Sequence, residues 1–290
     1  MSTDRLPVRK TYKLYLGGAF PRSESGRTYE VHDTKGHFLA NAARASRKDA
    51  RDAVVAARGA FWKWSGATAY NRGQVLYRVA EVMEGRAAQF AEEVAAGEGL
   101  SATRARAAVD AAIDRWVWYA GWTDKLAAVL GSSNPVAGPY FGFSTPEPTG
   151  VVAVLAPQRS SLLGLVSVLG PVLAGGNTAV VVTSKDRPLP AVTLGEVLAT
   201  SDVPGGVVNL LTGDAAEIGP WLAEHADVDG IDLAGTTAGG LAMELERSAA
   251  GTVKRVLRAA AEEPDWTADP GLTRMTPFLE TKSVWHPIGV

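Results

Sequence analysis

The residues best placed for chemistry lie in VLAPQRSSLLGLVSVLGPVLAGGNTAVVV, residues 154 to 182, which reads as an apolar strand, a turn, an apolar helix, a glycine pair and a second strand. Gln158, Arg159, Ser160 and Ser161 sit at the turn of this βαβ unit. In doubly wound sheets that position holds ligand phosphates and reacting groups. A guanidinium there can stabilise an oxyanion. A serine hydroxyl needs an activating base to become a nucleophile, and the pattern around Ser160 and Ser161 offers none. Two more turns open helices: TGD, residues 212 to 214, and GTTAGG, residues 235 to 240. They leave Gly213, Gly235 and Thr236 where helix N-termini can hold phosphates, although such glycines more often serve backbone geometry alone.

Thiol chemistry is excluded, because the 290 residues contain no cysteine and so no disulfide, thiolate metal site or thiol nucleophile. The four histidines, His32, His37, His225 and His286, lack ligand spacing, and no metal site is expected.

The elements that must position these turns follow from the apolar pattern. After Gly150, strands expected at 151–156, 178–183, 207–211 and 231–234 alternate with helices at 161–174, 191–200 and 215–225. Strands that are apolar throughout predict an α/β fold, a parallel sheet doubly wound by right-handed crossovers and covered on both faces. Ahead of the sheet, residues 15–33 read as a hairpin punctuated by Gly17-Gly18 and by Ser23 to Gly26. Ser46 with Asp49 forms a capping pair for a first helix, and Asp214 with Glu217 forms another for the helix after VVNLL. Leu76, Val79, Met83, Phe90 and Val94 stripe a helix over 71–96, and Val109, Ile113, Trp116 and Tyr119 stripe one that begins at Ser101. The cluster WVWYAGW, residues 116 to 122, fits core packing better than base stacking, since no basic stripe accompanies it. Residues 131–150 break the helical pattern as a loop and extended arm, residues 259–277 form a polar connector, and FLETKSVWHPI returns to a strand with two unlike faces.

A formal charge of -2 does not favour nucleic acid or an anionic membrane surface. The longest apolar run, 161–182, is broken by glycines, Pro171 and Asn177, so no membrane span is expected. The opening MSTDRLPVRKTYKLYLGG has no apolar signal core, and the expectation is a cytoplasmic protein.

Taken in order, YLGGAFPRSESGRTYEV, RASRKDARDAVVAARGAFWKW, EPTGVVAVLAP, LGPVLAGGNTAVV, VPGGVVNLLTGD, GTTAGG and LETKSVW resemble the aldehyde dehydrogenase superfamily. The resemblance covers most of residues 14 to 258 and the last dozen. It implies a Rossmann-like coenzyme-binding domain at 1–133 and 151–258, with N-terminal helices, and a small β oligomerisation arm at 134–150 and 278–290. A connector at 259–277 would stand in place of a missing catalytic domain. It implies NAD or NADP as cofactor, with contacts surviving in vestigial form at Pro157, Gln158, Gly213, Gly235 and Thr236.

The family's reactive side chains are replaced. Arg159 stands at the oxyanion asparagine, Val182 at the ribose-binding lysine and Lys185 at the acidic position. Ala259, or Arg258 one residue earlier, stands at the general-base glutamate, with Glu262 and Glu263 nearby in a different local pattern. No catalytic residue is therefore expected. The resemblance further implies that Tyr140, Phe141, Phe143, Lys282, Val284 and Trp285 belong to an oligomerisation surface. The leading expectation is a non-catalytic subunit, inactive alone, that associates as a hetero-oligomer with a full-length NAD(P)-dependent aldehyde dehydrogenase. The alternatives are a nucleotide-binding regulatory module without turnover and, behind it, an oxidoreductase with an unconventional site.

Overall fold

The computed structural model describes residues 8–237 and 239–289; residues 1–7, Ala238 of the GTTAGG turn and Val290 of the 278–290 segment lie outside the described residues. The first hairpin lies later than the pattern of residues 15–33 suggested. It joins β1 (Thr28–His32) to antiparallel β2 (Phe38–Ala43). The reason is turn chemistry: the Asp33 carboxylate accepts the Lys35 and His37 amides, each at 2.8 Å, which closes the chain between the strands. Tyr15 instead bridges to Leu210, and Gly17-Gly18 turns only the short Leu16–Ala19 bridge.

Helix α1 (Arg47–Ser65) begins where expected, with Ser46 and Asp49 closing a reciprocal capping box. The single helix expected over 71–96 is two, α2 (Ala69–Glu84) and α3 (Ala87–Glu98). They part at Gly85-Arg86, where Arg86 leaves helical geometry (φ -118°, ψ 12°). The stripe Leu76, Val79, Met83, Phe90 and Val94 is nevertheless buried throughout, because both helices pack on α4 (Ala102–Trp122). α4 is capped by Ser101 and carries Val109, Ile113, Trp116 and Tyr119 inward, so most of the aromatic cluster is core. After α5 (Leu126–Leu130) the chain extends into β3 (Ser132–Asn134) and β4 (Tyr140–Pro148).

The remaining elements build the main sheet: β5 (Val151–Leu155), α6 (Leu163–Ala174), β6 (Thr178–Val182), α7 (Leu189–Ala199), β7 (Val208–Leu211), α8 (Ala215–Glu224), β8 (Gly230–Asp232), α9 (Gly240–Ala250) and β9 (Arg255–Leu257). Its order is β7-β6-β5-β8-β9, with every pairing parallel. Alternation along β5 and β6 divides the core into two layers. Val152, Val154, Ala179 and Val181 pack with α2, α3, α4, α6 and α7, while Val151, Ala153, Leu155, Val180 and Val182 pack with α1, α8 and α9. Such strands have no solvent face, which is why they read as unbroken apolar runs. Helix α6 is likewise buried along its whole length, and Gly170 admits it against α4: a Cβ there would stand 2.3 Å from Tyr119 Cδ2.

The segment 259–277 is better anchored than a polar connector would be. Trp266 and Met275 join the core, followed by Phe278 at the end of a 3-10 turn (Thr276–Phe278). Buried Arg115 of α4 donates to Ser167 Oγ at 3.0 Å and to the carbonyls of Trp266 and Ala268 at 2.8 and 3.0 Å. β10 (Leu279–Pro287) then pairs antiparallel with β4 along its full length, giving a separate sheet of order β10-β4-β3.

Val253, after α9, adopts φ +57° although it is β-branched and 90% exposed. A left-handed conformation costs such a residue about 1–2 kcal/mol that glycine does not incur. V253G is expected to raise stability by about 1 kcal/mol in denaturant unfolding, since no packing is lost; an unchanged or lowered midpoint contradicts that reading.

Candidate functional site

β5 and β8 lie side by side, yet each runs on to a helix on the opposite face of the sheet, α6 from β5 and α9 from β8. The crevice outside their carboxyl ends is the topological switch point. The approach there is close. Gly235 N donates to Leu155 O at 2.7 Å, and a Cβ on Gly235 would stand 2.1 Å from Ala156 O, so no other residue fits. A groove of about 440 Å³ opens beside it, lined by Gln158, Lys185, Asp214, Gly235, Thr236 and the first residues of α9. Gly239 precedes α9 with φ +109°, and among the described residues no side chain caps the helix. Uncapped first-turn amides at a dipole's positive end suit an anion.

Around this groove the polar side chains hold one another. Gln158 donates through Nε2 to Ala156 O at 2.7 Å and accepts the Lys185 amide on Oε1 at 3.1 Å, tying the turn after β5 to the turn after β6. Lys185 Nζ reaches Asp214 Oδ2 at 2.7 Å, and Asp214 Oδ1 caps α8 through Ala216 N. That pairing raises the Lys185 pKa and lowers that of Asp214. Thr236 turns its hydroxyl back to Leu233 O at 2.9 Å. Of the five residues expected at a cofactor, Gln158, Gly235 and Thr236 line the groove. Pro157 is buried against α6 beside Gly164, and Gly213, at φ +141°, packs near Ala45 N and borders a separate small hollow with Tyr29. Glu217, expected to assist the α8 cap, instead accepts from Arg44 at 2.8 and 3.1 Å and from Arg27 at 3.0 Å.

The turn after β5 is closed by two carboxylates. Glu263 accepts the Arg159 and Ser160 amides at 3.1 and 3.0 Å and the Trp266 indole N–H at 3.1 Å, with Arg159 Nε 3.7 Å away. Glu98 Oε1 accepts both Ser161 N and Ser161 Oγ at 2.7 Å. Ser160 Oγ accepts the Gly164 amide in the first turn of α6 at 3.0 Å, and the two carboxylates add the negative charge that a helix N-terminus favours. Arg159 keeps its side chain largely in solvent while its carbonyl receives Arg187. Glu98 is the partner that Ser161 lacked in the sequence pattern. Its signal was faint: a carboxylate in the last turn of α3 opposes that helix's dipole and asks for a donor elsewhere. Ser161 itself is only 3% exposed.

Tyr140, Phe141, Phe143, Lys282, Val284 and Trp285 belong to the β10-β4-β3 sheet instead of the groove. Register places Val284 opposite Phe143 and His286 opposite Phe141 on one face, while the Tyr140 and Trp285 rings meet at 5.9 Å on the other. Among the described residues no group of three His, Asp or Glu side chains could hold a metal, and no helix is long and apolar enough to cross a membrane.

Burial raises the Glu98 pKa above its ordinary 4.5, against the lowering effect of the Ser161 donors. The folded chain thus binds this proton more tightly than the unfolded chain, and the contribution of Glu98 to stability falls as pH rises from 4.5 through the raised value. E98Q removes that dependence, and its unfolding midpoint is expected to fall less than wild type's across this window; an identical slope contradicts the assignment.

The sequence profile of the aldehyde dehydrogenase family matches residues 20–260. The D-glyceraldehyde dehydrogenase (NADP(+)) of Thermoplasma acidophilum is 30% identical over 253 residues, 87% of this chain and 51% of the relative. The human cytosolic 10-formyltetrahydrofolate dehydrogenase is 32% identical over 249 residues, 82% of this chain and 27% of the relative. An aldehyde dehydrogenase from Bacillus cereus, solved in complex with NAD+, superposes with a TM-score of 0.80 at 27% identity, over 85% of this chain and 50% of that one. This chain therefore spans about half of the length of two of these relatives and about a quarter of the third. With its five-stranded parallel sheet matching half of an aldehyde dehydrogenase structure, the chain belongs to the aldehyde dehydrogenase family.

Proposed function

We propose that this chain is a non-catalytic member of its family, a subunit that associates with a full-length, active NAD(P)-dependent aldehyde dehydrogenase. The observation that carries the reading is the outer edge of β10. Among the described residues this nine-residue strand pairs on one side only, with β4; it presents Trp285 at 63% exposure, and Ile288 just after it is 52% exposed. Strand addition from another chain satisfies such an edge and covers its apolar side chains. In this reading β10, β4 and β3 form an oligomerisation arm, and 259–277 replaces the catalytic domain. The closed turn after β5 supports the non-catalytic half of the proposal: Glu263 and Glu98 occupy its amides, and no cysteine is present to act as nucleophile. An oxidoreductase built on Ser161 has less support, because that hydroxyl is buried and donates to Glu98.

The groove beside α9 favours a second reading, a module that binds a dinucleotide without turning it over. The uncapped first turn of α9 suits a diphosphate, and Gln158, Gly235 and Thr236 border the space. The Lys185–Asp214 pair then faces the sugar end, where Val182 and Lys185 stand at the positions of the family's usual ribose partners.

Native mass spectrometry of the tagged protein from its own cells is expected to find a complex with a cysteine-containing aldehyde dehydrogenase, lost when residues 278–290 are deleted. A lone monomer, or a complex that survives the deletion, rules out this docking mode. Calorimetry with NAD, NADP and their reduced forms is expected to give weak binding or none; a dissociation constant of about 10 μM or below replaces the first reading with the second.

A further inference from the structure

At the amino end of the sheet, opposite the groove beside α9, a second cavity of about 690 Å³ lies between the end of α1, the start of α2 and the roots of β4 and β10. Its size is that of a small-molecule site. Phe61 and Trp62 form one wall, their rings 5.1 Å apart, and Trp62 is left 77% exposed. Pro146 and Pro148 contribute a second rigid apolar surface.

Three cations line this cavity. Arg58 is paired with Asp229 at 2.5 Å, and Lys282 with Glu147 at 2.9 Å. Arg72 has no carboxylate partner among the described residues. Its Nη1 donates to the carbonyls of Ser65 and Ala67 at 3.3 and 2.6 Å, but its Nε is buried without a hydrogen-bond partner, as is Thr149 Oγ1 on the same cavity. Leaving such groups unmet is costly. The cavity therefore holds one positive charge that no side-chain carboxylate compensates, between flat apolar walls. Burial further weakens the guanidinium's hold on its proton, the effect expected where a cation is desolvated without an anion.

We infer that this cavity is a binding site for a monoanionic carboxylate with a flat apolar body, such as an aromatic acid. The carboxylate meets the Arg72 guanidinium, whose planar donors match its geometry, and the ring stacks on Trp62. One uncompensated charge selects a monoanion over a phosphate dianion. The site makes no use of the nucleotide groove, and of β10 it takes the Lys282 side chain and not the unpaired backbone edge.

The test is calorimetric titration of the full chain with 2-naphthoate and with its uncharged match, 2-naphthamide. Naphthoate is expected to bind one site, about tenfold or more tighter than the amide, and to weaken about fivefold or more in W62A. R72Q is expected to erase the preference for the charged ligand. Because Arg72 also caps α1, R72Q is read only if its circular dichroism is native. W62A alters an exposed side chain and keeps the test valid alone. Equal affinities for acid and amide, unchanged naphthoate binding in W62A, or no saturation below about 10 mM overturns the proposal.

Discussion

The ion pair between Asp232 and Arg274 joins the sheet's inner strand β8 to a segment that reaches it from 42 residues away. Asp232 is 1% exposed, and its burial drives its pKa up against the pull of Arg274. Breaking a buried pair by removing one member typically costs about 3–5 kcal/mol, because the other charge stays buried alone. Arg274 also lies 5.3 Å over the Trp266 ring, and the Trp266 carbonyl receives Arg115. One line of contacts therefore runs from α4 through segment 259–277 to β8. A parallel sheet that is apolar on both faces requires such cover everywhere, and here segment 259–277 supplies part of it through Trp266, Met275 and Arg274.

The main sheet was legible because its strands carry no polar residue facing water: Val151 to Leu155 and Thr178 to Val182 are buried at every position. The α2–α3 break was not, since Gly85 and Arg86 interrupt the backbone without disturbing the apolar period. β9 was also missed as a member of the sheet, because a three-residue strand on the edge, half-buried, gives no periodic signal. At the candidate site, glycines and turn positions could be read, but which side chains meet could not. Glu98 to Ser161 spans 63 residues, Glu263 to Ser160 spans 103, and no local pattern announces either.

Those two contacts also separate packing from chemistry. An apolar strand, a proline and a buried helix flank the turn after β5 and fix its position. The receivers of its amides are the chain's own carboxylates. Glu263 takes the Arg159 and Ser160 amides and Glu98 takes that of Ser161, so the turn's donors are met within the chain.

The pairing of β10 with β4 bears on how the chain is made. Lys282 and Glu147 face each other across 135 residues of sequence. During synthesis, β4 leaves the ribosome long before its neighbour exists, with Tyr140, Phe141 and Phe143 unshielded while the whole parallel sheet is being translated. Contacts of such separation form late and slowly, and strand edges exposed in the interval are open to capture by other chains. Any nascent polypeptide able to lend a strand meets β4 in that window, before the intramolecular competitor arrives.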